Sequence, residues 1–320
     1  MVIDMTQPLF LISQMQPKIW GGTKLRDYFG YDIPCEQTGE YWAISAHPNG
    51  VSRVANGEFA GHTLDKLYVQ QPQLFGNPKD KVFPLLTKIL DANDWLSVQV
   101  HPDDTYALKH EGELGKTECW YVIAADEGAE IIYGHEAKSQ DVFQEMIEKG
   151  DWDNLLTHVP VKAGDFFYVP SGTIHAIGKG IMILETQQSS DTTYRVYDFD
   201  RKDDSGQTRE LHLKQSIDVS YIGKPQNSHP ATLKVGDLTS TLLVSNEFFT
   251  VYHWQLQGRA DMEQTAPYLL VSVLDGSGEI TCDGVSFSLK KGKHFILPNQ
   301  VTKWTFSGNL DIIASHISEE

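Results

Sequence analysis

A chain of 320 residues has room for one very large domain or two ordinary ones, each with a sizeable core. Its apolar content of 40% and aromatic content of 11% are those of a globular protein, not a disordered one. A net charge of -17 excludes nucleic acid as the expected partner, and it obliges any phosphorylated substrate to find a local cationic pocket.

The three cysteines, Cys35, Cys119 and Cys282, are odd in number and widely scattered, with no CxxC pair. They form no disulfide framework, which points to a reducing compartment. The start of the chain has no basic segment, and Pro8-Leu-Phe-Leu-Ile is too short for a signal-peptide core. No apolar run reaches membrane-spanning length, so the expectation is a cytoplasmic protein with no membrane partner.

In chain order, the first 60 residues read as short strands and turns, with a strand from Thr38 ending in the turn His47-Pro-Asn-Gly50. Glu40, Trp42 and Ile44 share one face of it. Residues 63–72 predict a short helix capped by Thr63 and closed at Pro72. Phe83 to Ala92 predicts a buried strand. The stretch Trp95-Leu-Ser-Val-Gln-Val-His101 follows, alternating so that Leu96, Val98 and Val100 take one face and Ser97, Gln99 and His101 the other. A hydroxyl, an amide and an imidazole in a row are costly to bury without partners, which a wet cleft or a metal supplies.

Lys116-Thr-Glu118-Cys-Trp120 begins the next strand, with Lys116, Glu118 and Trp120 on one face and Cys119 on the other. Ser139 to Gly150 has Val142, Phe143, Met146 and Ile147 at helical spacing, a serine cap and a glycine stop, and predicts a surface helix packed on a sheet. Gly164-Asp165 then turns into a strand, and a Pro170/Gly172 turn presents His175. Two histidines and a glutamate, with an amide nearby, suit a Zn²⁺ site with an open position. Gly180 to Gln188 is another strand. Glu185 and Arg195, downstream of His175, are either an ordinary surface pair or part of the same site. Residues 211–219 predict a helix, and Lys224 to Pro230 is the clearest linker.

The end of the chain repeats the earlier β unit. Gly164 and Pro170 match Gly292 and Pro298 at one offset of 128 residues, while Glu130 matches Glu279 at 149. The difference is about the length of the 135–158 segment, which therefore reads as an insertion. The expected fold is mainly β: two jelly-roll β-barrels with a few inserted helices. The first domain spans 1–224, with helical insertions near 135–158 and 211–222, and the second spans 231–320. His175 corresponds to Lys303 in the second copy, so one metal per chain is expected, in the first barrel.

Gly164-Asp165-x4-Pro170-x-Gly172-x2-His175 resembles the second half of the cupin motif. Trp20-Gly-Gly, Gly39-Glu-Tyr-Trp, Phe83-Pro-Leu-Leu, Ser97-Val-Gln-Val-His-Pro, Gly115-Lys-Thr-Glu and Ser190-Asp-x2-Tyr-Arg resemble the type I mannose-6-phosphate isomerases in their shorter bacterial form. The resemblance spans roughly residues 18–200. It implies a zinc-dependent aldose-ketose isomerase acting on a sugar phosphate, mannose 6-phosphate or fructose 6-phosphate, through an enediol. It implies His101, Glu118, His175 and Gln99 as the zinc set, with Gln99 either ligating directly or holding a metal-bound water. Arg195 is implied as an active-site residue, and Ser97 and Lys116 as pocket residues. The base stays open between Glu185 and Lys116. Two other classes remain: a metal-dependent cupin dioxygenase and a non-catalytic sugar-binding bicupin.

Overall fold

The computed structural model describes residues 6–203 and 205–318. It is mainly β, built from three sheets. The central sheet has six strands, in the order Phe166–Val169, Glu118–Ala125, Ile181–Gln188, Leu85–Ala92, Thr38–Ile44 and Gln14–Gly22. A five-stranded sheet faces it, in the order Tyr194–Tyr197, Val98–Val100, His175–Ile177, Glu130–His135 and Leu156–Pro160. A nine-stranded sheet covers the other side and is made mostly of residues after 230. Among the described residues none of these strand orders closes on itself.

The six-stranded sheet is buried on both faces, and its sequence shows it. Leu85 and Ile89 enter the core shared with the nine-stranded sheet, while Leu90 and Ala92 enter the core shared with the five-stranded one. Met182 and Leu184 divide from Ile181 and Ile183 in the same way. A strand packed on both sides reads as a near-continuous apolar run, so a charge within one is conspicuous. Lys88 and Glu185 are such charges, and they lie directly opposite each other in the register.

The outer face of the five-stranded sheet carries Val98, Val100 and Ile132 and is covered by helices. The expected helix is present as Gln140–Lys149: the Ser139 hydroxyl accepts from the Val142 N–H, and Gly150 stops it in the left-handed conformation at φ 67°. Phe143 and Ile147 form its buried face. Leu213–Val219 packs beside it, two residues shorter at its start than expected. The helix Leu64–Gln70 follows Thr63, but the Thr63 hydroxyl makes no cap bond; its backbone alone takes the cap conformation. Among the described residues no helix is long and apolar enough to cross a membrane.

The two turns matched by sequence also match in backbone. Gly164 and Gly292 have φ 88° and 82°, and each precedes a four-residue strand, Phe166–Val169 and His294–Leu297. The start of the chain is built into the far sheet: Leu9–Ile12 pairs with His294–Leu297, Leu9 with Ile296 and Phe10 with Phe295. Alternation sends Leu9 and Leu11 into one core and Phe10 into the other, where its ring meets Phe287 and Phe295. Replacing Phe10 by alanine should cost about 3 kcal/mol through the cavity it leaves. A urea unfolding curve measures this, and a change under about 0.5 kcal/mol would mean that the strand contributes little to the far sheet.

Candidate active site

The six- and five-stranded sheets part at one end to form a cleft of about 300 Å³. Gln99 lines it, and His101 lies behind it against Glu118, because Val98 and Val100 point outward into the helix-covered core. The expected alternation holds from Val98 onward. It fails at Leu96, which belongs to the inner core and lines the cleft beside Ser97. The regular strand begins only at Val98, so the pleat does not dictate side-chain direction before it.

His175 lies directly opposite Gln99 in the five-stranded sheet. The turn before it is pinned by two backbone bonds, Gly172 N–H to His101 O at 2.8 Å and Thr173 N–H to Pro170 O at 3.1 Å. Glu118 comes from the facing sheet. The Lys116 backbone N–H donates to Pro102 O at 3.0 Å, which ties this strand start to the end of the histidine strand. Gly115 permits that approach: a Cβ there would sit 2.5 Å from Asp104 N. Cys119 points away into the core shared with the nine-stranded sheet, as its strand position requires.

His101, Glu118 and His175 converge, with one ligand atom from each all within 4.8 Å of one another. His101 Nδ1 is 2.9 Å from Thr192 O, and His175 Nδ1 is 2.8 Å from Thr173 O. Carbonyls only accept, so both rings carry their proton on Nδ1 and present the Nε2 lone pair. Those lone pairs face Glu118 at 3.6 and 3.3 Å and have no hydrogen-bond partner, while Glu118 Oε2 has only the Lys116 ammonium, 3.1 Å away. Burial lowers both imidazoles, His175 to about 4 and His101 well below its ordinary value, so both are neutral near pH 7. Two neutral nitrogen donors and a carboxylate, buried and facing one another without protons between them, fit a divalent metal. Gln99 stands beside both histidines.

Around this group the charges alternate. The Trp120 indole N–H lies 3.1 Å from both Glu118 Oε1 and Glu185 Oε2 and joins the two carboxylates. Burial first, and then the Glu118 charge, raises Glu185 to about 7. Lys116 Nζ is 3.1 Å from Glu118 and 3.9 Å from Glu185, and these carboxylates outweigh its burial and raise its pKa. Arg195 lies opposite Gln99 and lines the cleft, donating from Nη1 to Glu210 O at 2.8 Å and leaving Nε buried without a partner. Arg195 and Glu185 stand on opposing sheets and form no ion pair, so the ordinary surface pair is not what the fold makes of them.

Several cleft residues escaped the sequence reading. Lys88 sits between Glu40 and Asp191 at 3.9 Å from each. Burial pushes Glu40 up, but Lys88, Lys18 and the Trp42 indole N–H outweigh it and hold Glu40 at about 2. Arg209 also lines the cleft, with its fork on Asp198 at 2.6 and 2.8 Å. Lys88 and Glu40 had a legible signal, each being a charge on a strand face that register places beside Glu185 and Leu90. Arg209 and Asp191 lie on irregular chain, where periodicity says nothing.

The family model for the type I phosphomannose isomerase catalytic domain matches residues 9–123, and that for the mannose-6-phosphate isomerase cupin domain matches residues 239–317. The mannose-6-phosphate isomerase of Streptococcus mutans is 70% identical over 98% of this chain and 100% of its own. Mannose-6-phosphate isomerase ManA of Bacillus subtilis is 51% identical over 98% of this chain and 99% of its own. The crystal structure of the Bacillus subtilis mannose 6-phosphate isomerase superposes with a TM-score of 0.95 at 49% identity, covering 97% of this chain and 99% of that one. A putative mannosephosphate isomerase from Archaeoglobus fulgidus shares the fold, with a TM-score of 0.78 at 18% identity and full coverage of both chains. With relatives this similar over nearly the whole chain, and a buried His-Glu-His group at the cleft, the protein belongs to the type I phosphomannose isomerase family of isomerase enzymes.

Proposed function

We propose that this chain interconverts mannose 6-phosphate and fructose 6-phosphate with one zinc ion held by His101, Glu118 and His175, and with Gln99 as a fourth ligand or the partner of a bound water. The observation that carries the reading is the pair of buried, partnerless Nε2 atoms of His101 and His175 facing Glu118, beside a cleft lined by five cationic side chains, Lys18, Lys88, Lys116, Arg195 and Arg209. When bound, such an ion polarises the oxygens at C1 and C2 of the open-chain sugar.

The proton moves from C2 to C1 through an enediol. Glu185, raised to about 7, is matched to that task at neutral pH, since it exchanges a proton at little cost. Lys116, kept charged by two carboxylates, suits stabilisation of developing negative charge on oxygen rather than removal of a proton. The C2 proton passes to Glu185 and returns to C1, while the O2 hydroxyl proton moves to O1. Arg195 supplies a fixed guanidinium at the cleft wall, and Ser97 with the remaining cations favours a phosphate against the acidic surface. The two β units read as copies of one double-sheet jelly-roll module, domains 1–224 and 231–320, with Leu9–Ile12 lent to the second. The cysteines are unpaired, which supports a reducing, cytoplasmic setting.

A coupled assay with mannose 6-phosphate tests the reading. Turnover should be lost on chelation and return with one equivalent of zinc, and His175→Ala should lose both metal and activity while staying folded. Turnover that survives chelation, or that consumes oxygen, would overturn it.

Two variants separate the roles. Lys116→Met should depress kcat by about 10²-fold and change KM little, because the cation acts at the reacting atoms; a rise in KM alone would move Lys116 to phosphate binding. Glu185→Gln should lower kcat by about 10² to 10⁴-fold. In the metal-free protein Glu185 is held above its ordinary value of 4.5, at about 7. Its contribution to stability is therefore full below about 4.5 and lost as pH rises through about 7. Melting curves in chelator should show that decline in the parent protein and a flatter profile in Glu185→Gln. Identical profiles would show that Glu185 titrates normally.

A further inference from the structure

The loop Gly112–Gly115 carries one carboxylate that the proposed reaction does not use. Glu113 accepts four hydrogen bonds: from the His47 ring at 2.6 Å, the Thr192 hydroxyl at 2.7 Å, the Ser190 hydroxyl at 3.0 Å and the Asp191 backbone N–H at 3.1 Å. Three of these come from successive residues of one segment, Ser190–Thr192. That segment joins the strand Ile181–Gln188 of the central sheet to the strand Tyr194–Tyr197 of the facing sheet, and so it spans the cleft mouth. The fourth comes from His47, in the turn that follows the central-sheet strand Thr38–Ile44. His47 Nδ1 accepts from the Asn49 N–H at 3.2 Å, so its proton sits on Nε2 and points at Glu113. Against the cost of partial burial, these donors hold Glu113 ionised, at about 2.

The segment matters because the Thr192 carbonyl receives His101 Nδ1–H. An imidazole offers its Nε2 lone pair in a fixed direction only while its other nitrogen is engaged. Irregular chain has no ladder to hold a carbonyl in place; here Gln187 Nε2 donates to Ser190 O at 2.7 Å and Asn49 Nδ2 to Asp191 at 2.9 Å, and Glu113 alone binds all three residues of the segment, Thr192 included. We propose that Glu113 is a positioning residue for the metal site, acting through Ser190–Thr192 to set the tautomer and orientation of His101. The inference rests on the proposed metal reading and adds to it a residue that touches neither metal nor substrate.

The test measures zinc affinity of the folded protein by competition with a chromophoric chelator, alongside thermal melting of the metal-free protein. Glu113→Gln keeps the shape but turns half of an acceptor-only group into a donor, so it cannot accept all four bonds. Zinc affinity should fall about 10 to 100-fold. Thr192→Val removes the 2.7 Å bond while keeping the backbone carbonyl, and it should weaken zinc in the same direction by less. If Glu113→Gln does not fold, Thr192→Val carries the test alone. Lower melting temperatures with zinc affinity unchanged would reduce Glu113 to a structural role and overturn the inference. If the parent protein binds no zinc, the proposed function fails along with it; if the parent binds tightly and both variants match it, only the inference about Glu113 fails.

Discussion

Two imidazole lone pairs aimed at one carboxylate are the constraint on which this structure turns. Nε2 of His101 and of His175 faces Glu118 with no proton between them, inside a site where each of the three side chains is at most 2% exposed. Buried acceptors without donors are unfavourable unless a cation joins them. The arrangement persists because the ring orientations are set from behind, by Thr192 O and Thr173 O, and because Glu118 is held on an opposing sheet. Holding the sheets apart at one end and packing them closely at the other is the work of Trp120, Val122, Ile131, Ile177 and their neighbours in the inner core.

The second organising feature is the row of alternating charges across the central sheet. Glu40, Lys88, Glu185, Lys116 and Glu118 stand on neighbouring positions of one buried face. Environment separates residues of the same type. Glu40, beside two lysines and an indole N–H, is held at about 2. Glu185, buried beside another carboxylate, is raised to about 7. Pairs of like groups pushed apart in this way are a mark of acid-base sites. The row alone holds two lysines among three carboxylates; it is the cleft as a whole, lined by five cationic side chains and four carboxylates, that departs from the net charge of -17.

The nine-stranded sheet contributes from behind. The central-sheet strands that carry Glu118, Glu185 and Lys88 present their other face to a core shared with this sheet, so Cys119, Met182, Leu184 and Ile89 pack against residues such as Phe249, Leu270 and Ile313. Tyr121, next to Trp120 in sequence, reaches the far sheet at His253, whose ring is 2.8 Å from Asp311. Burial on both faces leaves these strands little freedom to shift, and that rigidity keeps the charged row in register.

Local periodicity determined much of this protein from sequence alone. A two-residue repeat is enough to put Gln99 and His101 on one face and to separate Glu118 from Cys119, and a helical repeat with its cap residues marks Ser139 and Gly150 as the ends of a helix, because each depends on residues a few positions apart. Strand placement also proposed the two histidines and the glutamate as one group, and family motifs added Arg195. Only the tertiary structure decided the rest. Leu96 turns into the cleft because the pleat has not yet begun there. Lys88 and Glu40 join the site because strands far apart in sequence lie side by side, as the start of the chain does with His294–Leu297. Glu113 matters through a segment some 77 residues further along the chain. Such pairings, and the pKa values that follow from them, depend on which charges and cores end up adjacent, and spacing along one strand carries no record of what lies across from it.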